Sequence, residues 1–71
     1  MDRFPEKLRV LRERNDMTMR KLADELDLSH AYIYKLETGQ RKPNAELLVK
    51  LSRLFGVSVD VLVKDELEVG E

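Results

Sequence analysis

Between Met19 and Glu37 the chain reads MRKLADELDLSHAYIYKLE, two short amphipathic segments with only Asp27-Leu28 to join them. Leu22, Ala23 and Leu26 recur at i, i+1 and i+4, the spacing of an apolar stripe on a helix. Thr18 stands in front of that stripe as an N-cap, its hydroxyl able to accept one of the N–H groups that a helix start leaves unpaired. Ser29 caps the second segment in the same way, and Ile33 and Leu36 form its inner face. A joint this short has to be a tight turn, and Asp is among the few residues besides glycine that enter the left-handed conformation such a turn uses. Ala23 falls where the two helices cross, a place where only a small side chain lets the backbones approach. The spacing thus predicts two helices locked across a sharp turn, and the remaining elements have to pack around that pair.

The flanks supply the other helices. Met1 to Arg3 reads as a frayed start, and Pro5 suits the first turn of a helix, where its missing N–H is no loss. Leu8 and Leu11, with Val10, make the inner stripe of a helix running to about Arg14, and Asn15-Asp16 ends it, with Asn15 able to adopt the left-handed turn. Met17 is expected to tuck beneath the first two helices. After the central pair, Thr38-Gly39-Gln40 reads as a helix stop and Arg41-Lys42-Pro43 as an exposed basic loop. Asn44 caps a fourth helix from Ala45 to Phe55, which Gly56 stops. Ser58 caps a short fifth helix whose Val59, Val61, Leu62 and Val63 exceed what one face of a small domain buries. Part of that surface is therefore expected to be exposed, and exposed apolar patches mark partners. The tail from Asp65 to Glu71 is acidic and is expected to be mobile.

Composition narrows the function classes. With 71 residues and no Cys, the chain has to hold together by helix packing alone, as a single domain with a folded core over 4–64. No apolar run approaches the ~20 residues needed to span a membrane and no secretory signal opens the chain, so a cytoplasmic location is expected. One His, no Cys and no glycine-rich phosphate loop leave no catalytic or metal-binding constellation. No enzyme, no metal, no cofactor and no small-molecule substrate is expected. The formal net charge is −1, which alone speaks against nucleic acid, but residues 58–71 hold one basic and five acidic side chains and so account for the acidic excess.

Two helices joined as these are make a helix-turn-helix, and here the pattern extends further. Ala23…Asp27-Leu28…Ile33…Leu36 followed by Glu37-Thr38-Gly39-Gln40-Arg41-Lys42-Pro43 resembles the DNA-binding domain of phage repressor and Cro (XRE-type) regulators. The resemblance includes Leu8-Arg9, Leu11-Arg12 and Thr18 at the opening and LFGVSVDVL, Leu54 to Leu62, at the end, and it covers about Phe4 to Lys64. It implies an all-α fold of five helices and a bacterial or phage transcriptional regulator of the nucleoid, most simply a repressor. The second helix of the motif would lie in the major groove. Its outward residues His30, Ala31, Tyr34 and Lys35 would face base edges, where Lys35 can donate to guanine and Ala31 offers a methyl. Phosphates would be met by Thr18, Met19, Arg20, Ser29, Tyr32, Gln40, Arg41 and Lys42. The resemblance also implies an ion pair between Arg12 and Glu37, tying the first helix to the end of the third.

The sequence departs from the family at three places. Met19 stands where a phosphate-binding Gln is frequent, Tyr34 where a small polar residue is frequent, and Asp27 where Gly is frequent. The operator therefore cannot be copied from a relative. One such domain covers little DNA, so a homodimer is expected, with Val59, Leu62 and Val63 at its contact. The core is expected from Leu8, Leu11, Leu22, Leu26, Leu28, Ile33, Leu36, Leu48, Leu51 and Leu54. The alternative is a protein-binding module, an antitoxin or adaptor, that uses the apolar fifth helix to hold a protein partner.

Overall fold

A computed structural model describes residues 1–70, and within them the chain forms five α-helices and no strand. They are α1 (Phe4–Arg14), α2 (Met19–Leu26), α3 (His30–Glu37), α4 (Ala45–Phe55) and α5 (Val59–Val63). Four start on a side-chain cap. Thr18, Ser29, Asn44 and Ser58 accept the N–H of Lys21, Tyr32, Leu47 and Val61 at 2.8–3.1 Å. α2 packs on α3, α1 crosses α3 and α5, and α4 closes on α5.

The turn between α2 and α3 is built as its two residues require. Asp27 is left-handed at φ 58°, and the Leu28 N–H reaches back 2.8 Å to the carbonyl of Ala23. Ala23 itself is buried beneath the crossing. Gly39 and Gly56, at φ 81° and 67°, turn the chain out of α3 and α4. At the end of α1 the left-handed residue is Asp16, at φ 56°, and not Asn15. The Asn15 amide instead donates back to the Leu11 carbonyl at 2.7 Å, which keeps that residue on the right-handed side.

The core gathers Phe4, Leu8, Leu11, Leu22, Ala23, Leu26, Ile33, Leu36, Leu47, Leu51 and Leu62. Three of the expected core leucines, Leu28, Leu48 and Leu54, are only half-buried at its margin. α4 turns its Leu47–Leu51 edge inward, so Leu48 and Leu54 flank the core while Leu47 enters it. Phe4, on the first turn of α1, fills volume that the leucine spacing alone did not assign.

Both ends depart from the expectation of frayed, free segments. The Asp65 carboxylate accepts the N–H of Asp2 at 3.1 Å and of Arg3 at 2.9 Å. The Arg3 guanidinium bonds to the Asp65 carbonyl and to both carboxylate oxygens of Glu68. Val69 packs against the core margin, and the Arg14 guanidinium donates to the Gly70 carbonyl. The tail is acidic, and the N-terminus of α1 and the Arg3 guanidinium use that acidity. Glu71 lies outside the described residues.

Lys7 is a feature the leucine spacing passed over. It is 1 % exposed, on the same face of α1 as Phe4, Leu8 and Leu11. Its Nζ donates to the carbonyls of Val61 at 2.7 Å and Lys64 at 2.6 Å, at the end of α5, where helix carbonyls run out of intrahelical partners. A buried ammonium is tolerated because it is hydrogen-bonded. The signal was present in the sequence, since Lys7 stands three residues after Phe4 and four before Leu11 on the apolar stripe.

Candidate nucleic-acid interface

α3 is clamped on its inner side. Ile33 and Leu36 are both fully buried. The Glu37 carboxylate receives Arg12 Nε at 2.6 Å and Nη2 at 3.1 Å, a two-pronged contact, while Arg12 Nη1 donates to the Met17 carbonyl at 2.9 Å. The Glu37 side chain is 2 % exposed and that of Arg12 is 11 % exposed. Hydrogen bonding to Glu37 raises the Arg12 pKa further above its ordinary value, so the guanidinium stays charged in this partly desolvated place. One pair therefore fixes α3 against α1 and against the segment that leads into α2.

The outer side of α3 is open. His30, Ala31, Tyr34 and Lys35, at i, i+1, i+4 and i+5, form one exposed stripe along the helix. Tyr34 leaves 49 % of its surface in solvent although its neighbours at Ile33 and Leu36 are fully buried. Tyr32 lies between the two sides, half-buried against the core margin.

Around this stripe stand the groups expected to meet phosphate. Thr18, Arg20, Ser29, Gln40, Arg41 and Lys42 are exposed. The Thr18 and Ser29 hydroxyls each accept an amide N–H at 3.0 and 3.1 Å, and each keeps its own O–H to donate outward. Met19 is different. Its side chain packs against the core margin, so only its backbone N–H, at the start of α2, remains a donor to an anion. The α3–α4 loop is shaped by the Lys35 carbonyl, which accepts the N–H of both Gln40 at 2.9 Å and Arg41 at 3.2 Å. The Gln40 side-chain amide donates to the Thr38 hydroxyl at 2.9 Å, and the Arg41 guanidinium carbon lies 5.2 Å from the centre of the Tyr32 ring.

α5 does not present what its composition suggested. Leu62 is fully buried in the core and is unavailable to any partner, because a five-residue helix held by Lys7 has one inward position and Leu62 takes it. Val59 and Val63 remain half-buried.

Residues 8–62, more than half of the chain, match the family model described as helix-turn-helix. The chain belongs to that family. This helix-turn-helix domain is of the XRE type, a class of DNA-binding transcriptional regulators and not of enzymes. It is similar to the HTH-type transcriptional activator BcrR of Enterococcus faecalis, 40% identical over 63 residues that cover 89% of this chain and 31% of that protein. It is also similar to the uncharacterised HTH-type regulator YqaE of Bacillus subtilis strain 168, 32% identical over 63 residues, covering 89% of this chain and 54% of that one. The SPbeta prophage-derived regulator YonR of the same organism is 34% identical over 61 residues, 86% of this chain and 56% of its own. The chain thus spans about a third to just over half of the length of these relatives. Among the described residues, no helix is long and apolar enough to cross a membrane.

Proposed function

We propose that this domain binds double-stranded DNA in a sequence-specific manner and acts as a transcriptional repressor. In this account α3 lies in the major groove with His30, Ala31, Tyr34 and Lys35 at base edges. Thr18, Arg20, Ser29, Gln40, Arg41, Lys42 and the amide of Met19 hold the phosphates on either side. The observation that carries it is the two-sidedness of α3: an inner side buried and ion-paired through Glu37, and an outer side open to solvent. A helix held so firmly while presenting histidine, tyrosine and lysine outward is suited to reading a rigid surface.

Two copies are proposed to act together. The longest dimension of the domain, 29 Å, is close to the ~34 Å that separates half-sites one helical turn apart, so two domains fit side by side on one face of the duplex. The half-buried Val59 and Val63 are proposed to lie at their contact. Repression follows from simple occlusion where the bound site overlaps a promoter. The relative BcrR is named an activator, and this chain spans 31% of it, so its sign of regulation is not carried over.

Selection of bound sequences from random duplex DNA, at a stated salt concentration, tests this. An enriched inverted repeat is expected. Recovery of no motif, with binding lost by ~200 mM salt, would reduce the interaction to phosphate attraction and overturn sequence-specific readout.

A further inference from the structure

We propose that Tyr32 is a positioning residue for backbone binding: its ring holds the Arg41 guanidinium in place, so that the α3–α4 loop offers a preset fork to a phosphodiester. The inference rests on the DNA-binding function proposed above. Tyr32 can act as a platform because it is half-buried against the core margin on a helix that the Arg12–Glu37 pair has already fixed. Arg41 is held twice, by its N–H on the Lys35 carbonyl at 3.2 Å and by its guanidinium 5.2 Å from the ring centre, within the ~6 Å reach of a cation–π contact.

The geometry suits a backbone contact. A guanidinium resting on an aromatic ring uses one of its faces and leaves the edge N–H donors, which match two phosphate oxygens at once. Among the described residues no carboxylate pairs with Arg41, whereas Lys21 is drawn to Glu25 at 3.0 Å and Arg3 to Glu6 and Glu68. An arginine on a free loop would lose its rotamer freedom on binding, and that loss lowers affinity. Here the ring imposes the order in the unbound protein. Tyr32 would thus act through Arg41 and would not itself bond to phosphate.

The test is a double-mutant cycle on the duplex recovered by selection, with Tyr32→Leu, Arg41→Ala and both together, measured over a salt series. Thermal melts of each variant accompany it. Tyr32→Leu is expected to weaken binding about two- to five-fold, the worth of an exposed cation–π contact. Its salt slope is expected to stay unchanged, since no charge is lost. Arg41→Ala is expected to lower the slope by ~0.9, the value of one phosphate contact. It should cost less in the Tyr32→Leu background, by the same two- to five-fold factor.

Tyr32→Phe keeps the ring and is expected to bind as the unaltered protein does. Arg41→Lys, an exposed change that leaves the fold alone, keeps the charge without the planar fork and is expected to keep the salt slope while weakening binding. Strict additivity of the Tyr32 and Arg41 changes overturns the inference. So does a Tyr32→Phe loss as large as that of Tyr32→Leu, which would make the hydroxyl itself the phosphate donor. Absence of binding by the unaltered protein overturns the DNA-binding function and this inference together, an outcome distinct from both.

Discussion

Asp65 accepts the backbone N–H of Arg3 at 2.9 Å from 62 residues away in sequence. It thereby does for α1 what an acidic residue in the first turn does within a capping box, returning a carboxylate to the N-cap amide. α1 has no side-chain cap of its own, and its N-cap residue is Arg3. The end of the chain supplies what the beginning lacks.

Acidification should expose that dependence. Hydrogen bonding to the Arg3 N–H lowers the Asp65 pKa below its ordinary 3.8, and hydrogen bonding to the Arg3 side chain lowers that of Glu68 below 4.5. A carboxylate with a depressed pKa contributes stability that is fully present above its ordinary value and is lost as pH falls through the depressed one. The melting temperature should therefore fall as pH drops below about 4.5, and Asp65→Asn should flatten that fall while lowering stability at pH 7. Identical acid profiles for the two proteins would contradict the role given to Asp65.

Arg12→Ala and Glu37→Ala should each destabilise the domain by ~3–5 kcal/mol, because either leaves a charged group desolvated without its partner. Glu37→Ala should be the milder, since Arg12 retains the Met17 carbonyl as acceptor. The double variant should cost clearly less than the two single changes added together, as read by chemical denaturation.

Lys7→Met keeps the length and apolar stem of the side chain and removes only the ammonium. It should cost about 1.5–3 kcal/mol, the worth of hydrogen bonds to a charged donor, as the carbonyls of Val61 and Lys64 lose the ammonium and only Lys64 keeps another donor, the Leu67 N–H. An unchanged denaturation midpoint would mean that the stem alone matters.

Asp27→Gly should stabilise the domain by up to ~1 kcal/mol, because Asp27 sits at φ 58°, where a Cβ is unfavourable. The same change removes a negative charge from the turn that leads into α3. DNA affinity at low salt should rise with it, and the gain should fade as salt is added.

Lys35→Ala should relax preference at a single base pair of the selected motif, with a cost of ~1–3 kcal/mol on the best sequence. Equal weakening on every sequence would reassign Lys35 from bases to phosphates.

Much of this was legible in the residues. Thr18, Ser29, Asn44 and Ser58 announced four helix starts because a capping hydroxyl or amide acts on N–H groups two or three residues away, within the reach of local reading. Asp27 announced the turn for the same local reason. What stayed hidden depends on separations that periodicity does not see. Leu62 could be assigned to a partner surface only while its contact with the core was unknown, and the acceptors of Lys7, although its place on the apolar stripe was visible, lie more than fifty residues away. The attachment of the tail depends on Asp65, Glu68 and Arg3 meeting across nearly the whole sequence. At the interface, the exposed stripe of α3 followed from the inward positions of Ile33 and Leu36, whereas the seat of Arg41 on Tyr32 needed coordinates.

The bonds from Lys7 to Val61 and Lys64, and from Arg3 to Asp65, also set an order of events during synthesis. Translation delivers α1, α2 and α3 to the ribosome exit before the acceptors for Lys7 exist, so the motif emerges while its first helix still holds an unsatisfied ammonium against an incomplete core. Long-range closure of this kind comes late in assembly, since loop entropy opposes it until the distant partner is present. A nascent chain of this protein therefore completes the cap of α1 and the burial of Lys7 only once residue 65 has cleared the tunnel.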